Sequence, residues 1–465
     1  MEYLRKRNFI GNKRFYRDLI ALTLPILVQS LLTNFVSLLD NIMVGQLSTE
    51  EMVSVAIINQ LLFVVNLCIF GGLSGVGIFT AQYFGSKNME GVKNSFRMKI
   101  WLIFGVLIVA LFVIMTFKSP LIDSFLHEGS EQGDLVKAKS FAISYLHVAI
   151  FGLIPFGMQQ VYASTLRESG KMMLPMVAGI IAILVNLVGN FILIFGMFGA
   201  PRLGIVGAAI STVFAKTLEA AIIIIYTHMK KHIHIFIDGV YKTLAVPKAL
   251  IFEIFKKGLP LLFNELLWSS GMTVLLATYG TRGLDVLAGL NISTTITNLF
   301  NVLYLSLGSV TGIIIGQLLG ANDFTGAKAT VRKLIAFSVL CATGAGIFVA
   351  LIGPYFPSLY KEAFPEAKQY ASAFIMIVAL GMPLQAFVHP AYFILRSGGR
   401  SGITFLFDCV YVWTVTVPIA YVLVNFTTIP FITVYALCIY SDIIKCTLGY
   451  IMLKKGIWMR NIIGK

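Results

Sequence analysis

The segment LLDNIMVG, residues 38–45, ends an apolar stretch in which Asp40 is the only charged residue between positions 19 and 49. A carboxylate inside a membrane-length helix costs roughly 2.5 kcal/mol or more, so it is retained where it faces a polar cavity, a partner group or a cation. Asp40 is therefore the first candidate functional residue of the chain.

The composition around this segment is that of a membrane protein. Of 465 residues, 57% are hydrophobic and 12% are charged, against about 25% charged residues in ordinary globular domains. Apolar runs long enough to cross a bilayer recur from end to end and predict twelve transmembrane helices. The predicted spans are 17–44, 53–84, 97–118, 138–167, 173–196, 204–228, 251–280, 284–318, 331–357, 364–396, 402–424 and 428–454.

The formal net charge of +15 is distributed in a way that indicates membrane topology. When the loops are assigned to alternate sides of a membrane, Lys and Arg concentrate on the side that carries the N-terminal tail. This bias predicts a multi-pass protein of the cytoplasmic membrane with both termini in the cytoplasm. It also accounts for the basic character without nucleic acid as a partner. The basic start has no small-residue cleavage site, so no removable signal peptide is predicted.

The two halves of the chain resemble each other. Six helices separate the equivalent segments, so the two repeats share one membrane orientation and are parallel repeats. The aligned pairs are Pro25 with Pro260, Gly85 with Gly320, QYFGSKN (82–88) with QLLGAND (317–323) and, at a slightly shorter shift, LRESGK (166–171) with LRSGGR (395–400). The predicted fold class is thus all-α and polytopic, with two pseudo-symmetric six-helix lobes around a central cleft.

The domain organisation follows from the repeat. Residues 1–228 are predicted to form the N-terminal lobe, residues 229–250 a cytoplasmic linker and residues 251–465 the C-terminal lobe. The linker contains His232 and His234, whose alternation could suit a metal. Because no further ligand follows nearby, a solvated linker is the preferred interpretation.

Three polar residues accompany Asp40 in the first lobe. Asn186 and Asn190 are four apart on the fifth helix and share a face, and Thr212 on the sixth helix adds a hydroxyl. Together these oxygens form a hard cluster of the kind that holds Na⁺ or relays a proton. Alternatively, the asparagines only tie helices together by interhelical hydrogen bonds. Apart from Na⁺ at Asp40, no metal is predicted.

The second lobe has its own acids. Glu265 is the only charge between Lys257 and Arg282, and it lies beside Asn264 and near Trp268. A mid-membrane acid near an aromatic ring suits an organic cation, although a protonated structural Glu is the alternative. The cleft is expected to be lined in part by Tyr162 and Tyr392.

For further charges inside the helices, a structural role is the preferred interpretation and a role in transport is the alternative. Asp408 is expected to pair with a basic loop residue, Arg396 or Arg400. Two other pairs, Lys216 with Glu219 and Asp442 with Lys445, have the i,i+3 spacing of local ion pairs.

Several segments, taken in order, resemble the multidrug and toxic compound extrusion (MATE) family, in its bacterial form. They are LLDNIMVGQLS (38–48), QYFGSKN with Gly91, QLLGAND with Gly326, GLPLLFNELLW (258–268), LRSGGR (395–400) and DCVYVWTVTVP (408–418). The resemblance spans the whole chain. It implies a secondary antiporter of two six-helix lobes that exports organic cations and amphipathic compounds by inward movement of Na⁺ or H⁺.

The resemblance also implies site residues. The family's ion-coupling positions correspond to Asp40, Asn186, Asn190 and Thr212, and a second acidic position corresponds to Glu265. Some members carry an acid where Asn190 stands, and some carry an Asp on the tenth helix at the position assigned to Gln385. Both departures remove a negative charge and leave the coupling ion open. The predicted site for substrate or a second cation comprises Glu265, Asn264, Gln385, Tyr162 and Tyr392.

Cation-coupled export by alternating access is the preferred hypothesis for function. The predicted partners are organic cations or amphipathic drugs and the lipid bilayer; the protein is expected to be monomeric, with no cofactor besides bound Na⁺ or H⁺. A lipid-linked saccharide flippase is the alternative transporter, and it would need basic residues in the cleft. A membrane-embedded transferase is a third hypothesis, but the chain shows no P-loop, zinc motif or nucleophile elbow.

Asp40 and Glu265 are not equivalent in the repeat. Asp40 lies 15 residues beyond Pro25, whereas Glu265 lies 5 beyond Pro260, which separates them by roughly 15 Å in depth. Asp40 is therefore predicted to couple the ion, and Glu265 to bind a second cation or the drug.

Overall fold

The computed structural model describes residues 9–125, 135–360 and 364–464, and these residues contain helices and connecting turns but no β-strand. Within them, twelve helices are long and apolar enough to cross a membrane. In chain order they are α1 (Lys13–Gly45), α2 (Glu50–Gly85), α3 (Met89–Asp123), α4 (Leu135–Glu168), α5 (Met173–Phe195), α6 (Gly204–Met229), α7 (Lys248–Gly280), α8 (Leu284–Gly320), α9 (Phe324–Leu359), α10 (Pro365–Ser397), α11 (Ser401–Phe426) and α12 (Phe431–Lys455). The all-α polytopic fold class and the twelve predicted helices are confirmed.

The internal repeat is visible in the local backbone. In both halves, a turn residue with positive φ follows the second long helix of the repeat: Lys87 (φ 59°) and Asn322 (φ 59°). The next residue then caps the following helix, with Asn88 accepting from the Gly91 N–H and Asp323 accepting from the Gly326 N–H. Such caps satisfy N–H groups that have no partner within the helix. The matched segments therefore form matched turns.

Two helices of the second half are irregular near their acids. Residues 406–410 and 412–416 of α11 are π-helical and include Asp408. In α12 the hydrogen-bond pattern changes at Ser441, which keeps helical φ and ψ directly before Asp442, and the Tyr411 hydroxyl donates to the Ser441 carbonyl at 2.7 Å. Single π turns occur frequently at functional sites, so these irregularities mark the region around the two aspartates.

Backbone contacts divide the chain into two compact units. The C-terminal unit comprises Phe255–Lys465 together with Ala81–Lys87 and the described part of Met1–Leu27, and the N-terminal unit comprises Val28–Thr80 and Asn88–Ile254. The predicted boundaries at 228 and 251 stay a prediction, because contacts alone do not define lobes.

Within the C-terminal unit, the Gln82 side chain anchors residues near the chain's end. Its amide donates to the carbonyls of Ser397 at 2.9 Å and Arg460 at 3.2 Å, and its oxygen accepts from the Ile462 N–H at 2.8 Å. Trp458 is 1% exposed in the adjoining apolar core. These contacts tie the end of α2 to the segment that follows α12.

The predicted solvated linker is wrong in part. Residues 229–250 form two short 3₁₀ turns, Ile235–Ile237 and Val240–Lys242, whose apolar residues Phe236, Ile237 and Val240 are buried. The Arg97 guanidinium donates to the Val240 carbonyl at 2.9 Å. The linker therefore packs against the N-terminal unit, because packing there removes its alternating apolar side chains from water.

His234 in this linker is 5% exposed, and neither ring nitrogen has a hydrogen-bond partner among the residues that the structure describes. Burial, reinforced by the positive charges of Lys171 and His232, lowers the pKa of His234 below 6.5. The His234 ring therefore takes up a proton more readily in the unfolded chain than in the folded one. The folded state consequently loses stability as the pH falls from 7 through 6.5.

We expect His234→Phe to reduce this loss of stability between pH 7.5 and pH 5.5, because a buried phenyl ring has no nitrogen to protonate. Melting temperatures of the purified protein at both pH values measure the effect. His147→Gln, at an exposed histidine of α4, is the control and should leave the pH dependence as in the wild type. An unchanged pH dependence in His234→Phe would exclude His234 as its source.

A close backbone approach in the C-terminal unit gives a second prediction. A Cβ at Gly320 would overlap the Gln82 backbone, whereas a Cβ at Gly344 meets no atom within 4 Å. We expect Gly320→Ala to destabilise the protein by about 1–3 kcal/mol or more. Gly344→Ala, inside a helix, should be neutral or stabilise by about 0.5–1 kcal/mol. Thermal unfolding in detergent compares them; equal melting temperatures would refute the close approach.

Candidate functional site

The four predicted ion-coupling residues lie together in the N-terminal unit. Asn190 on α5 donates from Nδ2 to Asp40 Oδ1 on α1 at 2.7 Å. In the amide orientation that satisfies both of its ends, Asn186 donates to Asp40 Oδ2 at 3.2 Å and accepts from the Thr212 hydroxyl at 3.2 Å. Both carboxylate oxygens of Asp40 thus accept an amide N–H.

The charge of Asp40 is not balanced by a base. Among the described residues, no Lys, Arg or His nitrogen lies within 4.0 Å of its carboxylate. The Asn190 Oδ1 atom is buried and has no hydrogen-bond partner there. Asp40, Asn190 and Thr212 therefore bring a carboxylate, an amide oxygen and a hydroxyl into one cluster, and such oxygens are the ligand type that hard cations take. Interhelical hydrogen bonding, the alternative from the sequence, is present in this cluster, and the ion-coupling role stays a prediction.

The second set of predicted residues lies in the C-terminal unit. The Tyr392 hydroxyl on α10 donates to Glu265 Oε1 on α7 at 3.3 Å, and Arg396 approaches the same oxygen at 3.8 Å. Asn264 is fully buried and donates from Nδ2 to the Tyr392 hydroxyl at 3.3 Å and to Asp408 Oδ2 at 3.1 Å. Glu265, Asn264 and Tyr392 are thus brought together, with a base beside the glutamate.

The predicted partner of Asp408 is wrong. Its Oδ1 accepts from Lys445 Nζ on α12 at 2.7 Å, instead of from a basic loop residue such as Arg396 or Arg400. The predicted pair of Asp442 with Lys445 does not form at salt-bridge distance, because the lysine is directed to α11. Asp442 instead accepts from Gln385 Nε2 at 2.5 Å. The i,i+3 spacing allows a local contact, but packing against a neighbouring helix provides a better one.

The corresponding prediction in the N-terminal unit is corrected in the same way. Lys216 and Glu219 form no salt bridge within 4.0 Å; the Lys216 ammonium lies 4.9 Å from the Phe156 ring centroid, and Glu219 accepts from Gln159 Nε2 at 2.9 Å. Lys216 and Glu219 again prefer partners on a neighbouring helix, here α4.

Tyr162 belongs to the N-terminal unit, unlike the other residues predicted to bind substrate. Its hydroxyl is bonded to the Tyr241 hydroxyl at 2.5 Å and to His228 Nε2 at 3.0 Å, and Phe96 packs edge-on against its ring. These partners place it where the linker packs onto the N-terminal unit. Its predicted substrate contact stays a prediction, as do the roles of the other site residues.

Sequence reasoning missed a buried ion pair in the N-terminal unit. Lys99 on α3 is fully buried and donates to Glu168 Oε2 on α4 at 2.5 Å, to the Ser164 hydroxyl at 3.0 Å and to the Thr165 hydroxyl at 3.0 Å. Both residues border predicted cytoplasmic loops, where a charge is ordinarily solvated. The signal that could have found the pair was Glu168 within LRESGK, since the equivalent segment LRSGGR has no acid.

The fold and these buried charges define a polytopic α-helical membrane protein. Among solved structures, the Vibrio cholerae MATE transporter VcmN, determined as a mutant, superposes with a TM-score of 0.85 at 17% identity and covers 96% of this chain and 98% of that one. This similarity shows a shared fold.

Sequence comparison identifies the family. A family model, MatE, matches residues 25–192 and 260–422, so the chain belongs to the MatE family. It is similar to the probable multidrug resistance protein NorM of Thermotoga maritima, 22% identical across 100% of this chain and 98% of the relative. NorM of Oceanobacillus iheyensis is 26% identical across 88% of this chain and 90% of the relative.

The Lys99–Glu168 pair gives a testable prediction about stability. We expect Glu168→Gln to destabilise the protein by about 3–5 kcal/mol, because it leaves the Lys99 charge buried and uncompensated. The double variant Lys99→Met with Glu168→Leu should recover much of the loss, since apolar replacement of both partners is often neutral. Thermal unfolding measures both. Equal melting temperatures for Glu168→Gln and the wild type would show that Lys99 does not depend on this partner.

Proposed function

We propose that this protein is a secondary antiporter of the cytoplasmic membrane that exports organic cations and amphipathic drugs in exchange for Na⁺ or H⁺. The observation that carries the proposal is Asp40, an acid inside a candidate membrane span whose two oxygens are held by amides and whose charge meets no base among the described residues. Membership of the MatE family and the names of relatives, which are multidrug resistance proteins, support export over catalysis.

The N-terminal unit is suited to couple a small cation. Asn190 and Asn186 hold the Asp40 carboxylate in one orientation, and the free Asn190 Oδ1 and the Thr212 hydroxyl supply neutral oxygens beside it. Na⁺ would bind at these oxygens, whereas H⁺ would bind at Asp40 alone. In either case the ligand removes a negative charge from the membrane interior, which is costly to leave there.

The C-terminal unit is suited to bind a positively charged drug. Its buried network contains the carboxylates of Glu265, Asp408 and Asp442 and the bases Arg396 and Lys445. The described residues of this network include more carboxylates than bases, which favours a cationic ligand over an anionic one. Arg396 and Lys445 each pair with a carboxylate and so are not available to a pyrophosphate. This disfavours the alternative of a lipid-linked saccharide flippase. Asn264, Gln385 and Tyr392 belong to the same network and would contribute polar contacts.

Transport then requires alternating access. The ion and the drug must bind the inward-open and outward-open states with different affinities, since a ligand shifts an equilibrium only by its differential affinity. Ion entry at Asp40 would favour the state that releases the drug outside. This scheme includes a monomer with both termini in the cytoplasm, as the loop charges predict, and Glu265 as a second cation or drug contact.

Proteoliposomes test the proposal directly. We expect efflux of ethidium, a fluorescent organic cation, to follow an imposed Na⁺ or H⁺ gradient, with the two gradients applied separately to identify the coupling ion. Asp40→Asn should reduce gradient-driven efflux by about tenfold, within the usual range of coupling free energies, because its site no longer gains or loses a charge.

The matched control for this experiment is Asp18→Asn, the same substitution at an exposed acid of α1, which should transport like the wild type. Absence of dye movement under either gradient would refute antiport of organic cations. Full coupled transport by Asp40→Asn would remove this acid from the mechanism.

A further inference from the structure

An apolar groove with a volume of about 540 Å³ runs between α5 and α6 in the N-terminal unit. Leu184, Val188 and Phe214 line it, and each of these side chains is more than half exposed. Both helices are candidate membrane spans. The groove is therefore a concave surface that opens towards the hydrocarbon of the bilayer.

We propose that this groove holds one acyl chain of a bilayer phospholipid, and that Arg202, in the loop that joins α5 to α6, binds the phosphate of the same lipid. The lipid is a bound ligand and is not exported. The inference goes beyond the proposed export function and does not depend on it.

The length of the groove matches an acyl chain of one leaflet. On α5 the lining residues extend from Leu184 to Leu193, nine helical rises that span roughly 13–14 Å. One leaflet supplies about half of a hydrocarbon core that is about 30 Å thick. The groove thus reaches from the α5–α6 loop to about the depth at which an acyl chain ends.

The floor of the groove suits an apolar ligand. A Cβ at Gly189 would overlap the Ser211 hydroxyl, so the glycine lets α5 and α6 approach each other there. The Ser211 hydroxyl lines the groove but donates to the Asn186 carbonyl at 2.9 Å, which leaves its donor satisfied. Among the described residues that line the groove, none is charged. An organic cation would find no acid here, whereas an acyl chain needs none.

A base lies at the loop end of the groove. The Leu203 N–H donates to the Leu193 carbonyl at 2.9 Å, which folds the loop back onto the part of α5 that lines the groove. Arg202 directly precedes this contact and is exposed. Phe198 in the same loop is 91% exposed. An exposed aromatic ring and a base in one loop are typical of the boundary between hydrocarbon and headgroups.

The charge of Arg202 is available to a ligand. Among the described residues, no carboxylate oxygen lies within 4.0 Å of its guanidinium. Glu51 approaches Gly204 at the start of α6, but its Oε2 accepts from the Ser48 N–H at 3.2 Å at the start of α2. A guanidinium binds a phosphate through two parallel N–H groups. The loop therefore supplies the headgroup contact for a lipid whose chain lies in the groove.

Titration of the full-length protein in detergent with phosphatidylglycerol, followed by native mass spectrometry, tests the groove. We expect Val188→Trp to weaken binding of the first lipid by at least about tenfold, because the indole occupies the groove and displaces buried methylene groups, two of which account for such a change. Val177→Trp, at another exposed position of α5 that does not line the groove, is the control and should bind like the wild type.

A second lipid separates the headgroup contact from the chain contact. Arg202→Gln should weaken phosphatidylglycerol binding by about three- to tenfold, since a charge-assisted contact is lost, but should leave binding of diacylglycerol, which has no phosphate, unchanged. Val188→Trp should weaken binding of both lipids. Lys242→Gln removes an exposed base of the same unit and should change neither.

Three outcomes would overturn the assignment. The first is equal phosphatidylglycerol binding by the wild type, Val188→Trp and Arg202→Gln, as expected of lipids that surround the protein without a site. The second is weaker diacylglycerol binding by Arg202→Gln. The third is a wild-type dimer that Val188→Trp makes monomeric, which would assign the groove to a second copy of the chain.

These outcomes are separable from failure of the proposed function. Lipid binding with these variant effects would stand even if the wild-type protein moved no ethidium under an ion gradient. Conversely, gradient-driven efflux by a protein that binds no lipid in the groove would leave export intact and remove the lipid site.

Discussion

The cost of an unneutralised carboxylate inside a bilayer is the constraint on which the rest of this structure depends. Buried acids can be balanced by bases, held by hydrogen-bond donors or supplied with a ligand. Glu168, Glu265 and Asp408 are balanced by Lys99, Arg396 and Lys445. Three other acids are held only by amide groups in the described chain: Asp40 by Asn190 and Asn186, Glu219 by Gln159, and Asp442 by Gln385.

The acids inside the helices are thus of two kinds, those that contact a base and those that are held by amide groups alone. A carboxylate with its own base is already neutralised and gains little from a cation that arrives. A carboxylate held by amide N–H groups has a fixed orientation, and can bind and release a cation without first breaking an ion pair. The proposed function places the coupling ion at Asp40 in the N-terminal unit and the exported cation in the polar network of the C-terminal unit.

The repeat explains why the two units can differ in function. Both halves retain the same turn and helix cap, at Asn88 and Asp323, because these backbone features build the fold. Lys216 and Lys445 also match in position, yet Lys445 contacts an acid whereas Lys216 faces an aromatic ring. The acids, in contrast, do not occupy equivalent positions in the two halves. A duplicated scaffold with unequal charges agrees with the proposed division between an ion site and a drug site.

The sequence by itself determined the twelve helices, the repeat and the cluster around Asp40. Hydrophobic run length sets a membrane helix, and the four-residue spacing of Asn186 and Asn190 places both on one face, so these features follow from local pattern. Only the tertiary structure decided the partners of Lys445, Asp442 and Lys99, and the burial of the linker around His234. An i,i+3 spacing shows that two charges can meet, but a neighbouring helix can offer a better partner. Whether the local partner or the partner on the neighbouring helix is contacted depends on packing between segments distant in sequence.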